Sequence, residues 1–110
     1  MASHIVTIQE SGGVFVVDTP ELHTKKGETV VVHNGTRDSI ALFFPEKGLF
    51  SDLTDKYTVH EVGAGASSRN YTVKGTHEGK TGDRYAYAVF CHGPGGFALA
   101  NSNPIIIIDH

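Results

Sequence analysis

Residues 84–109 read RYAYAVFCHGPGGFALANSNPIIIID. In an extended chain alternate side chains point to opposite faces. Tyr85, Tyr87, Val89 and Cys91 therefore share one face, and Ala86, Ala88, Phe90 and His92 the other. Both faces are largely apolar, which is the signature of a strand covered on both sides. The run IIII at 105–108 reads the same way. Left bare, such a run would template aggregation, so it is expected to be paired on both sides. Between the two runs lies HGPGG, where glycine supplies positive φ and proline fixes the bend. No helix is expected after it, so it is read as a turn and not as a phosphate cradle.

The rest of the chain repeats this pattern. Short apolar runs rich in Val, Ile, Thr, Tyr and Phe are separated by SGG, KKGE, NGTRD, GAGASS and KGTHEGKTGD. Turn signals at strand-length intervals predict an all-β sandwich or barrel. The candidate strands are His4–Gln9, Val14–Asp18, Glu28–His33, Ser39–Phe44, Tyr57–Val62, Ser68–Val73, Tyr85–Cys91 and Pro104–Asp109. In ETVVVHN, Val30, Val32 and Asn34 share one face. The stretch PEKGLFSDLTDKY departs from alternation. Leu49, Phe50 and Leu53 have helical spacing, so a short helical or irregular excursion is expected near residues 45–56. With 110 residues and no internal repeat, one domain with one core is expected.

Composition excludes several classes. Nine Lys and Arg against 12 Asp and Glu give a formal charge of -3. Arg37, Arg69 and Arg84 are scattered, so no nucleic-acid footprint is present. No apolar stretch is long enough for a membrane helix. The start, MASHIVTIQE, has no basic leader followed by an apolar segment. The chain is read as cytoplasmic as given, or periplasmic if it is a mature form whose signal peptide was removed. One cysteine allows no internal disulfide. No Gly-x-Ser-x-Gly, phosphate-loop or dinucleotide fingerprint occurs, and adjacent Cys91 and His92 do not face one another as a nucleophile and base must. The protein is read as no enzyme.

The chain resembles the cupredoxin family along its whole length. VVDTPELHTKKGETVVVHN is similar to that family's extended segment, Lys-Lys-Gly turn and Asn-terminated strand. EVGAGASSRNYTV resembles its later turn and strand, with Ala64 where proline is usual. YAVFC resembles its aromatic-x-aromatic-x-Cys strand, and NPIIIID its terminal strand. The resemblance implies a Greek-key β-sandwich of seven or eight strands. It also implies a blue-copper centre of two His, one Cys and a weak axial Met. Cys91 stands at the cysteine position. The first histidine would fall near Asp38 or Ser39. The second would fall among Gly93, Pro94, Gly95 and Gly96, and the methionine at Phe97, Ala98 or Leu99. None of these supplies the expected donor, so the resemblance is to a cupredoxin whose type 1 copper site is degenerate or absent.

Two functions follow as expectations. The first is a non-enzymatic, cupredoxin-like binding or scaffold module with no cofactor. Its partner would be another protein, met through the loop end Gly93–Leu99, with Ser39, Phe97 and Leu99 as contact residues. The second is a copper-binding or electron-transfer protein with an altered site built on Cys91 and drawing on His92, His33 or His60, with Asp38 as a further group. There are seven histidines in the chain; His33 and His60 are singled out because both lie where strands reach the sandwich ends.

Overall fold

The computed structural model describes residues 3–11, 14–44, 49–51, 58–74, 83–92, 96–97 and 104–109. Eleven strand segments occur among them: β1 (Ser3–Ser11), β2 (Val14–Val17), β3 (Glu21–Lys25), β4 (Thr29–Asn34), β5 (Ile40–Phe44), β6 (Thr58–Val62), β7 (Tyr71–Thr72), β8 (Asp83–Ala86), β9 (Ala88–Cys91), β10 (Gly96–Phe97) and β11 (Ile105–Asp109). One layer has the order β2-β1-β4-β7. The other side is formed by β10-β9-β5-β6 and β3-β11-β8. β8 and β9 belong to one run that changes partner at Tyr87. Its first half pairs β11 and its second half pairs β5. The Tyr87 N–H continues the β11 register by one residue, donating to the Pro104 carbonyl at 3.0 Å. This handover joins the two groups of strands and explains why one sequence run yields two segments.

β1 pairs β4 and β3 pairs β11 in parallel; the other pairings are antiparallel. This is the crossed connectivity of a Greek-key sandwich. The alternation read from sequence carries through. Val30, Val32 and Asn34 are buried on β4, and Tyr85, Tyr87, Val89 and Cys91 on the β8–β9 run; the second face of that run is not covered as the sequence suggested, with Ala86 and His92 exposed and Ala88 and Phe90 half-buried. β11 is paired on both sides, by β3 and by β8. The sides facing inward build one core from Val6, Ile8, Val32, Ile40, Leu42, Val89 and Ile108 among others. At one end an aromatic cluster fills the space between layers. Phe44 meets Phe50 and Tyr71 edge-on at 5.3 and 5.2 Å, and Phe50 stacks on Tyr71 at 4.9 Å.

Of the excursion expected near 45–56, residues 45–48 and 52–56 lie outside the described residues. Its described part, 49–51, lies alongside the segment after β7. Phe50 bridges Val73, Ser51 N–H donates to the Thr72 carbonyl at 2.9 Å, and Leu49 and Phe50 are fully buried. Burial of both side chains, with Phe50 inside the aromatic cluster, fixes this stretch whatever its spacing suggests. β3 was not among the candidate strands, because ELHTK carries a single aliphatic residue. Leu22 nevertheless faces the core and Thr24 is buried beside it. The Ser68–Val73 run forms ladder pairs only at Tyr71 and Thr72, because Ser68 turns its side chain onto the β4 backbone, accepting the Val32 N–H at 2.9 Å.

Candidate functional site

The end of the sandwich where β4 stops and β5 and β9 meet is organised by Asn34. Strand alternation sends its side chain inward with Val30 and Val32, and it is fully buried. Its Nδ2 donates to the carbonyls of Asp38 (2.8 Å), Val62 (3.1 Å) and Gly63 (3.1 Å). An amide carries two hydrogens, so at least one is shared between carbonyls. Its Oδ1 accepts the Thr36 N–H at 3.0 Å and the Thr36 hydroxyl at 2.7 Å. The Asn34 backbone holds the 63–66 turn, donating to the Ala66 carbonyl and accepting from Gly65 N–H. Gly65 sits at φ +72°, a conformation side-chain-bearing residues rarely adopt. At Gly35 a Cβ would meet the Ile8 carbonyl at 2.9 Å; that close approach lets the loop leave β4 against β1. One buried amide thus fixes the 35–39 loop against the 62–66 turn.

Cys91 lies beneath this loop. It pairs with Ile40 on β5, and the following N–H, of His92, donates to the Ser39 carbonyl at 3.1 Å. The sulfur is shut off from solvent. Burial pushes its thiol up to about 11, and the nearby Asp38 carboxylate pushes the same way. Both effects penalise the thiolate, which is the reactive and metal-binding form.

The histidines singled out from sequence are dispersed. His92 follows Cys91 on the strand and points to the opposite, outer face. There its Nε2 lies 3.0 Å from Glu61 Oε2, and its ring meets Phe90 edge-on at 5.4 Å. His33 is on the outer side of β4, with Nδ1 at 2.9 Å from Ser67 Oγ. His60 lies on the inner side of β6 with its ring parallel to that of Tyr71, 5.5 Å between centroids, and its Nδ1 bonds the Tyr71 hydroxyl. Burial holds its imidazolium form down, and Arg69 adds to this. Among the described residues no three His, Cys, Asp or Glu side chains converge as a metal cage. Ser39 is exposed at the loop end. The backbone of Phe97 pairs with Phe90; Leu99 and most of the Gly93–Leu99 loop lie outside the described residues.

Asp38, named from sequence as a further group for a site on Cys91, does act on the thiol, but two groups important to this end were not identified from sequence: Asn34 as a five-bond hub and Glu61 as the anchor of His92. The burial of Asn34 is implied by its place on the Val30–Val32 face. The place of Glu61 depends on pairing between distant strands and leaves no mark in local pattern.

A scan against protein-family models finds no match, and neither does a search of curated proteins. Solved structures do match. An oxidised mutant of amicyanin aligns over 97% of this chain and 82% of its own, with TM-score 0.60 and 17% identity. The reduced Cu(I) form at pH 4 of another amicyanin mutant aligns over 99% and 84%, with TM-score 0.58 and 16% identity. Amicyanin from Paracoccus versutus aligns over 97% and 81%, with TM-score 0.57 and 20% identity. The fold of this chain is cupredoxin-like.

Proposed function

We propose that this chain is a non-enzymatic, cupredoxin-like binding or scaffold module that does not assemble the family's blue-copper centre. The observation that carries the reading is the set of donors around Cys91. A trigonal copper site needs two imidazoles in the plane of the thiolate. Among the described residues Cys91 pairs with Ile40 of β5 and its thiol feels the Asp38 carboxylate, while His92 is held on the other face by Glu61. His33 and His60 are engaged with Ser67 and Tyr71 elsewhere on the sandwich. The raised thiol pKa is not decisive, since a bound metal displaces the proton itself. Geometry and donor type weigh more. One sulfur and one carboxylate oxygen do not fit a cupric ion of this class.

The working surface in this reading is the loop end that Asn34 organises, with Ser39 and Arg37 exposed on it. Loops held by a rigid sandwich are where such folds place recognition. A protein partner is the proposed ligand.

Cu(II) titration followed by visible absorption tests the reading. The expected result is no intense visible charge-transfer band, only weak binding that follows exposed histidines such as His23. An intense band that vanishes in Cys91→Ser would overturn it in favour of an altered copper site built on Cys91. The amicyanin likeness keeps that second reading specific enough to be worth the measurement.

A further inference from the structure

A second site lies away from this loop end, along the open edge of β6. β6 is the last strand of its sheet among the described residues. Which of its backbone groups are open follows from the register. The His92 N–H to Ser39 carbonyl bond flanks the Ile40–Cys91 pair, so Ile40 turns its own N–H and C=O away from β9. It turns them to β6, making Ile40–Val62 a bonded pair and, two residues on, Leu42–His60 another. Val59 and Glu61 then aim their N–H and C=O groups away from β5, to the open side.

The side chains around that edge are arranged in two layers. Val62 is buried, so His60 also points inward, while Val59 and Glu61 point outward. On the inner side a cleft of about 310 Å³ is lined by β6 together with Ser68, Arg69 and Tyr71. Arg37 and Arg84 are each paired with a carboxylate, Glu10 and Glu21. Arg69 has no such partner among the described residues. On the outer side Val59 is 58% exposed, and Glu61 is already paired with His92. Natural edge strands are usually blunted by charge or cover; the outer side of this one carries an exposed valine.

We propose that β6 is a docking edge for an extended peptide that adds to the sheet as a strand, with an acidic side chain pointing inward onto Arg69 and apolar side chains pointing outward beside Val59. Strand addition draws affinity from main-chain bonds and specificity from pockets that take alternate side chains. Here the bonds come from Val59 and Glu61. The inward pocket carries the Arg69 guanidinium, without a carboxylate partner among the described residues, with the His60 imidazole beside it, which suits a carboxylate. The Glu61 carboxylate on the outer side repels an acid placed in the opposite phase. The selected pattern is therefore apolar–acidic–apolar. The site does not depend on what Cys91 does, and its test uses no metal.

The probe is a blocked synthetic peptide of alternating valine and glutamate, titrated against isotope-labelled full chain and followed by amide shifts. Shifts centred on Val59, His60 and Glu61 are expected. Arg69→Ala, at an exposed position, weakens binding about tenfold or more, and a valine–lysine peptide does not bind. Val59→Pro removes an open-side N–H without breaking the β5 ladder and abolishes docking. Should that variant unfold, a peptide N-methylated at alternate amides makes the same test on the unaltered protein. The proposal is overturned if Arg69→Ala and the N-methylated peptide both leave binding intact, if free acetate reproduces the shifts, if they centre on residues 37–39 and 91–97 instead, or if the peptide does not bind at millimolar concentration.

Discussion

Replacing Asn34 by Asp is the most informative single perturbation of this fold. The side chain keeps its shape and its acceptor toward Thr36, so packing is preserved. What changes is the donor side. The amide supplies two hydrogens to the carbonyls of Asp38, Val62 and Gly63; an ionised carboxylate supplies none and faces three oxygens. An unmet buried polar group costs about 1–3 kcal/mol, and an uncompensated buried charge costs more. The bonds to Asp38 and Gly63 are only part-buried, so water relieves some of the loss. A net destabilisation of about 3–4 kcal/mol at neutral pH is expected, a large share of the ~5–15 kcal/mol typical of a domain.

The loss depends on pH in a defined direction. The introduced carboxyl has a folded pKa raised above its unfolded value, by burial and by the carbonyls around it. Its protonated form returns one donor. The folded state then binds more protons than the unfolded one, so the deficit relative to the parent shrinks as pH falls through the raised pKa. Urea unfolding of both proteins at neutral and mildly acidic pH measures this. A deficit under about 1 kcal/mol, or one of equal size at both pH values, would refute the hub role given to Asn34.

The remaining predictions concern other parts of the sandwich. Tyr87 is buried, its hydroxyl has no hydrogen-bond partner among the described residues, and burial drives its pKa upward; Tyr87→Phe should raise stability by about 1 kcal/mol or more, read as a higher unfolding midpoint, and a lower midpoint would mean the hydroxyl is satisfied, for instance by an ordered water. Glu28 Oε1 accepts from His4 Nε2 at 2.8 Å, Lys25 N–H at 2.9 Å and Thr24 Oγ1 at 3.1 Å. The His4 bond is the main reason its carboxyl falls from 4.5 to about 2, with the bonds from Lys25 and Thr24 acting the same way against the opposing effect of burial. Its stabilisation is complete above 4.5 and is lost as pH falls from there toward 2, so the acid-side slope of stability should flatten in Glu28→Gln; an unchanged slope places the acid sensitivity elsewhere. The Cys91 thiol should resist a soluble alkylating reagent at neutral pH in the folded protein and react on unfolding, since it is both buried and held up to about 11; rapid modification of the native protein contradicts its enclosure.

Much of this architecture could be read along the chain because it is written in local terms. Alternation placed Tyr85, Tyr87, Val89 and Cys91 on one face and His92 on the other, since the two-residue period of an extended backbone leaves no alternative; that only the first face is covered is decided by packing. The same rule put Asn34 in line with Val30 and Val32, and the density of IIII required neighbours on both sides. β3 escaped this reading because one leucine and one threonine carry too little apolar signal to mark a strand, and only its parallel pairing with β11 reveals it.

Contacts between residues far apart in sequence belong to tertiary structure. Glu61 reaches His92 across β5, burial and then Asp38 from a neighbouring loop raise the Cys91 thiol, and Arg69 and His60 line one cleft from two layers. Periodicity sets which way a side chain points, but strand order and register set what it meets. The chemistry of Cys91 and of the β6 edge turns on those meetings, and no stretch of the chain encodes them alone.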